Sequence, residues 1–376
     1  MSTLKAATAL GQSIWLDYIR RDLLAGGGLQ RLIDEDGLGG LTSNPAIFEK
    51  AIGGSADYDD ALAVLVAQGV TEPAALFEAL AIEDIRQAAD LLRPVYDASR
   101  GEDGYVSLEV SPRLSADAEQ TAAEGRRLWQ AVGRPNLMIK VPGTPQGVSA
   151  IRQLISEGIN VNVTLLFSRA AYLAVAEAYL AGLEALQQAD GRLADVASVA
   201  SFFISRIDAA MDAQIAERLQ RAADPLESQA LQALVGKIAI ANAKLAYQDY
   251  KALCSGTRWQ SLEKLGARPQ RLLWASTGTK NPQYRDTLYV EELIGPQTVN
   301  TIPPATMDAF RDHGEVRASL EQQLDQAEAV MAEVERLGLP LQAVTDRLVA
   351  EGVQLFVEAD DKLMAAVAAK RDRLRK

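Results

Sequence analysis

Leu137-Met-Ile-Lys-Val141 and Asn160-Val-Asn-Val-Thr-Leu-Leu166 are short apolar runs, the first interrupted at Lys140 and the second at alternate positions 160, 162 and 164. A strand turns successive side chains to opposite faces. Leu137, Ile139 and Val141 therefore share one face, and Met138 and Lys140 the other. In the second run Val161, Val163 and Leu165 oppose Asn160, Asn162 and Thr164. The same phase appears upstream. Val106, Leu108 and Val110 oppose Tyr105, Ser107 and Glu109; Ile14 and Leu16 oppose Trp15 and Asp17; Thr42 and Asn44 share a face.

Working outward, eight such runs appear, at 13–19, 40–44, 105–110, 137–141, 160–166, 198–204, 271–276 and 298–302. Stretches with apolar residues three and four apart follow strands, at 116–132, 169–187, 228–253 and 316–337. Strands alternating with helices imply a parallel sheet. Eight units in 376 residues predict a closed (β/α)8 (TIM) barrel forming one domain over 1–376. A doubly wound sheet is the alternative, but no Gly-x-Gly-x-x-Gly follows any of the runs. The long connections near 46–104 and 207–270 are helix-rich and read as insertions. The stretch 341–376 reads as a long amphipathic helix packed on the barrel, placed so that it could also cap the site.

Composition narrows the chemistry. A net charge of −12 disfavours nucleic acid and anionic membrane as partners. Neither a signal-peptide core nor a bilayer-length apolar run is present, so a cytoplasmic setting is expected. One histidine, His313, excludes a multi-histidine metal site and leaves little room for a Ser-His-Asp triad. Oligomeric state is left open between monomer and homodimer. Cys254 reads as inert packing.

If the apolar faces meet the surrounding helices, then Asp17, Asn44, Glu109, Lys140 and Thr164 all point into the barrel near the C-terminal strand ends. Barrel enzymes keep their reactive groups there. A single buried ion pair could merely brace the barrel; five convergent polar groups at one end point to a site. Of eleven lysines only Lys140 interrupts an apolar strand, and most others are expected on helical surfaces or near a chain end. Desolvation favours a neutral amine, which can attack a ketone and form a Schiff base. Nearby carboxylates act in the opposite sense. A protonated imine is an electron sink for carbon–carbon cleavage and needs no metal or organic cofactor. Asp17 and Glu109 are the candidate proton shuttles, the latter through a water shared with Thr164.

Specific motifs carry a family resemblance over about residues 13–303. Gly40-Leu-Thr-Ser-Asn-Pro45 followed by Ala46-Ile-Phe48, Val106-Ser-Leu-Glu-Val-Ser-Pro-Arg-Leu-Ser115, Leu137-Met-Ile-Lys-Val-Pro142 and Glu157-Gly-Ile-Asn-Val-Asn-Val-Thr-Leu-Leu-Phe-Ser168 resemble signatures of the transaldolases, in particular a bacterial branch with long chains. The resemblance implies transfer of a dihydroxyacetone unit from sedoheptulose 7-phosphate or fructose 6-phosphate to an aldose phosphate, within the pentose phosphate pathway. It implies Lys140 as the Schiff-base lysine and Asp17 as the acid/base at carbon–carbon cleavage. Glu109 and Thr164 would hold the catalytic water. Asn44, Thr42 and Asn162 would meet substrate, while Ser201, Phe203 and Arg206 would form the pocket wall and phosphate site. One departure stands out. The second phosphate-binding arginine expected after the seventh strand is absent from Trp274-Ala-Ser-Thr-Gly-Thr-Lys280, where Lys280, Ser276 and backbone amides of 277–279 would serve instead.

Two other functions compete: a simple Schiff-base aldolase releasing free ketone or cleaving a deoxysugar phosphate, and a barrel that binds phosphosugars without catalysis. Related aldolases are shorter and lack counterparts of Glu109 and Phe203, which favours the transferase.

Overall fold

The computed structural model describes Ser2 to Leu374; the final two positions of the expected C-terminal helix lie outside the described residues. Eight parallel strands close into a barrel in sequence order, with the first and last paired. They are β1 Gln12–Asp17, β2 Gly40–Thr42, β3 Tyr105–Glu109, β4 Leu137–Pro142, β5 Val161–Leu166, β6 Ser198–Phe203, β7 Arg271–Ala275 and β8 Thr298–Ile302.

One strand ends short of its expected bound where a polar side chain takes over the backbone. β2 stops at Thr42, since Asn44 caps the next helix, Pro45–Gly54, by accepting from the Ile47 amide at 3.0 Å. Asp117, Thr144 and Ser168 cap the helices Ala118–Val132, Pro145–Ser156 and Arg169–Gln188 in the same way. The expected helix at 228–253 is two helices, Pro225–Leu234 and Ile238–Ser255, broken where Gly236 takes φ 70°. The expected helix at 316–337 starts only at Leu324. Upstream of it, Leu320 donates its amide to Ile294 O at 3.1 Å, and Ser319 Oγ bonds the Glu291 carbonyl at 2.5 Å. These ties hold the backbone outside a helix.

Leu165 also departs from the expected outward face. It has φ 62°, the register between β5 and β6 shifts there, and its side chain packs against Gly352. Gly352 belongs to the C-terminal helix Leu341–Leu374, which lies against Pro45–Gly54, Pro73–Ala98 and Ser205–Leu219. A Cβ at position 352 would come within 2.7 Å of Leu165 Cδ2, so glycine permits the close approach. Val344, Leu348, Phe356, Leu363 and Val367 anchor this helix by burial.

Candidate active site

The alternation read in the strands brings the interior polar groups together. Ser107, Asn162 and Ser201 form a buried chain across β3, β5 and β6. Asn162 Nδ2 donates to Ser107 Oγ at 3.0 Å, and Ser201 Oγ donates to Asn162 Oδ1 at 2.7 Å. Above this layer, at the C-terminal strand ends, opens a cavity of about 200 Å³. Asp17, Thr42, Asn44, Lys140, Thr164, Ser201, Phe203, Arg206, Ser276 and Lys280 border it.

Lys140 and Glu109 are register partners on β4 and β3. Lys140 is 5% exposed, and its Nζ donates to the Ser43 carbonyl at 3.1 Å. Nζ also sits 3.4 Å from Glu109 Oε2, an ion-pair contact without hydrogen-bond geometry. Burial pushes the Glu109 carboxyl upward, Lys140 opposes that shift, and Asp17 adds to it. Thr42 Oγ1 donates to Asp17 Oδ1 at 2.7 Å and lies 2.6 Å from Thr301 Oγ1. Burial raises the Asp17 pKa above the usual carboxylate range, against the pull of Lys140, the Thr42 bond, Lys280 and Arg206. Thr164 Oγ1 is buried without a protein partner.

One end of the cavity is cationic, bordered by Arg206 and Lys280. Arg206 lies in the first turn of Ser205–Leu219 with its guanidinium 5.4 Å from the Phe203 ring centroid, and burial lowers its pKa. Ser276, at φ 56°, turns the chain out of β7 toward exposed Lys280.

Two expected residues sit elsewhere. Asn162 lies below the cavity and does not line it, because its carbonyl and amide are engaged by Ser201 and Ser107. Glu109 borders a second cavity of about 260 Å³ behind the Ser43–Asn44 wall, yet reaches Lys140. Three contributors were missed in the sequence: the Ser43 carbonyl, Thr301 and Phe356. The alternation of β8 could have pointed to Thr301. Phe356, the one aromatic residue in the C-terminal helix, borders the cavity with its ring centroid 5.7 Å from Lys140 Nζ. That helix therefore packs on the barrel and reaches the site. Lys244 and Lys370, on the helices Ile238–Ser255 and Leu341–Leu374, are also buried and are exceptions to the surface placement expected of most lysines. Each has a structural partner: Gln322 O accepts from Lys244 at 3.0 Å, and Ser55 O from Lys370 at 2.5 Å.

The transaldolase/fructose-6-phosphate aldolase family profile matches residues 14–367. A transaldolase of Thiobacillus denitrificans is 49% identical over 367 residues, spanning 98% of this chain and 100% of that protein. A transaldolase of Trichodesmium erythraeum is 46% identical over 369 residues, covering 97% and 96%. The "Transaldolase 2" of Nostoc punctiforme is 48% identical over 364 residues, covering 96% and 95%. Among the described residues no helix is long and apolar enough to cross a membrane. The chain belongs to the transaldolase/fructose-6-phosphate aldolase family.

Proposed function

We propose that this enzyme transfers a dihydroxyacetone unit between phosphosugars through a Schiff base on Lys140. The observation that carries the reading is a buried amine flanked by two carboxylates in a cavity with a cationic end. The Lys140 amine attacks the ketone carbon of sedoheptulose 7-phosphate or fructose 6-phosphate, and water leaves as the imine forms. Asp17 takes the proton from the hydroxyl beyond the scissile bond. The carbon–carbon bond breaks, its electrons pass into the imine, and an aldose phosphate departs. Addition of the enamine to a second aldose phosphate reverses these steps, and water releases the new ketose.

Glu109 and Thr164 hold the water used in imine formation and hydrolysis. Two observations support this: the Thr164 hydroxyl has no protein partner, and Glu109 Oε2 is buried without a hydrogen bond. Thr42 orients Asp17, and Asn44 meets substrate hydroxyls with its free amide. Asn162 supports the site through Ser107 and Ser201 instead of touching the sugar. Phe203 forms the wall, while Arg206, Lys280 and Ser276 receive the phosphate.

The reading includes a single domain over 1–376, a cytoplasmic setting, a monomer or homodimer, and no nucleic-acid partner. The transferase is favoured over the simple aldolase because the cited relatives, matched over nearly their whole length, are named transaldolases. The deciding assay supplies fructose 6-phosphate with and without an aldose phosphate acceptor. Acceptor-dependent turnover, lost in Lys140→Ala, is expected. Free dihydroxyacetone produced equally fast without acceptor would establish the aldolase instead.

A further inference from the structure

Lys280 stands on the segment joining β7 to β8, and a lysine ammonium lacks the pre-organised guanidinium fork, so it gives up more freedom for each hydrogen bond it forms. Both flanks of this segment are fastened. Upstream, Ser276 Oγ lies 3.0 Å from Ser205 Oγ, and Thr277 Oγ1 donates to Asn300 Oδ1 at 3.0 Å. Downstream, a turn begins at the residue after Lys280: Asn281 accepts from the Gln283 amide at 3.0 Å and from the Tyr284 amide at 3.1 Å.

Tyr284 closes that turn and donates its hydroxyl to Asp212 Oδ2 at 2.5 Å. Asp212 lies on Ser205–Leu219, the helix that carries Arg206. Its other oxygen accepts from the Gly236 amide at 3.0 Å. Gly236 has φ 70°, and a Cβ there would lie 2.8 Å from the Tyr284 ring. The break between the two helices is thus shaped around this tyrosine. One helical turn earlier, Asp208 accepts from Tyr289 Oη at 2.9 Å and from the Ala239 amide at 2.8 Å. Two tyrosines that follow Lys280 therefore grip two carboxylates that follow Arg206. None of the four borders the sugar cavity.

We propose that Tyr284, through its hydrogen bond to Asp212, is a positioning residue that holds Lys280 beside Arg206 for the donor phosphate. The inference rests on the assignment of Lys280 to the phosphate. It gives a reason why a lysine suffices there: its backbone is clamped to the arginine's own helix, which limits the ordering needed on binding.

The test measures the inhibition constant of inorganic phosphate and the KM for fructose 6-phosphate in wild type, Tyr284→Phe, Lys280→Ala and the double variant. Tyr284→Phe should raise both constants about three- to tenfold, the range expected for one lost hydrogen bond. Its kcat, and its turnover of unphosphorylated fructose, should stay within about twofold of wild type, as for a change confined to phosphate binding. The double variant should be no worse than Lys280→Ala, because the tyrosine acts through the lysine. Unchanged phosphate constants in Tyr284→Phe, with only a lower melting temperature, would reduce the tyrosine to a structural staple and overturn the proposal. Fully additive losses in the double variant would also overturn it. Unchanged constants in Lys280→Ala would remove the assignment beneath it, and the proposal with it.

Discussion

At Thr164 the demands of folding can be tested apart from the role proposed for it in catalysis. Its hydroxyl is fully buried and bonds to no protein atom, an arrangement that costs stability. Replacing it with valine keeps the shape and removes the unsatisfied group. Thr164→Val should therefore melt at the wild-type temperature or above it. If Thr164 holds the catalytic water, kcat should nevertheless fall about 10²-fold or more, as when a proton-transfer partner is lost. Thermal melts and steady-state rates check both halves; full activity would remove Thr164 from the water site. At this scale the sequence was informative where strand alternation applies, because Lys140, Glu109, Asp17 and Thr42 each lie on a β-strand. It was misleading at Asn162, whose inward phase was correct but whose amide is used by Ser107 and Ser201. Hydrogen-bond partners across three strands leave no trace in a one-dimensional pattern.

Helices follow the same contrast. Caps at Asn44, Asp117, Thr144 and Ser168 mark the starts of four of them, and each is a local signal. At the break, Gly236 lies against the ring of Tyr284, which is far along the chain. Leu165 likewise bulges toward Gly352 of a helix that follows much later in the sequence. The helix Ser205–Leu219 also carries a titration prediction. Burial raises Asp208 from its ordinary 3.8 to about 7, with the Ala239 amide and Tyr289 pulling it down and Asp212 pushing it up. The folded state binds this proton more tightly than the unfolded chain does. Its contribution to stability is complete below the ordinary value and is lost as pH rises through about 7. Asp208→Asn keeps an acceptor for the Ala239 amide and cannot ionise. Denaturant unfolding should show the variant gaining about 1–3 kcal/mol on wild type between pH 4 and pH 8. A pH-independent difference would contradict this account of Asp208.

Across the whole molecule, the closed barrel and the C-terminal helix depend on each other. β1 pairs with β8, and the final helix returns to Pro45–Gly54 near the start of the chain while setting Phe356 beside Lys140. Alternating strands and helices made the barrel legible in the sequence. The final helix was expected on the barrel, but which helices it would pack against was not legible, since an amphipathic pattern says that a face is buried and not against what. If 1–376 is one domain, calorimetry should record a single unfolding transition with equal calorimetric and van't Hoff enthalpies. Two separated transitions would split it.

The central claim is covalent, and borohydride trapping tests it most directly. The protein is incubated with fructose 6-phosphate, reduced, digested and mapped by mass spectrometry beside Lys140→Ala. A stable three- or six-carbon adduct on Lys140, absent from the variant, is the predicted result. Active wild-type protein that yields no adduct, or an adduct on another lysine, would contradict the Schiff-base mechanism proposed for this site.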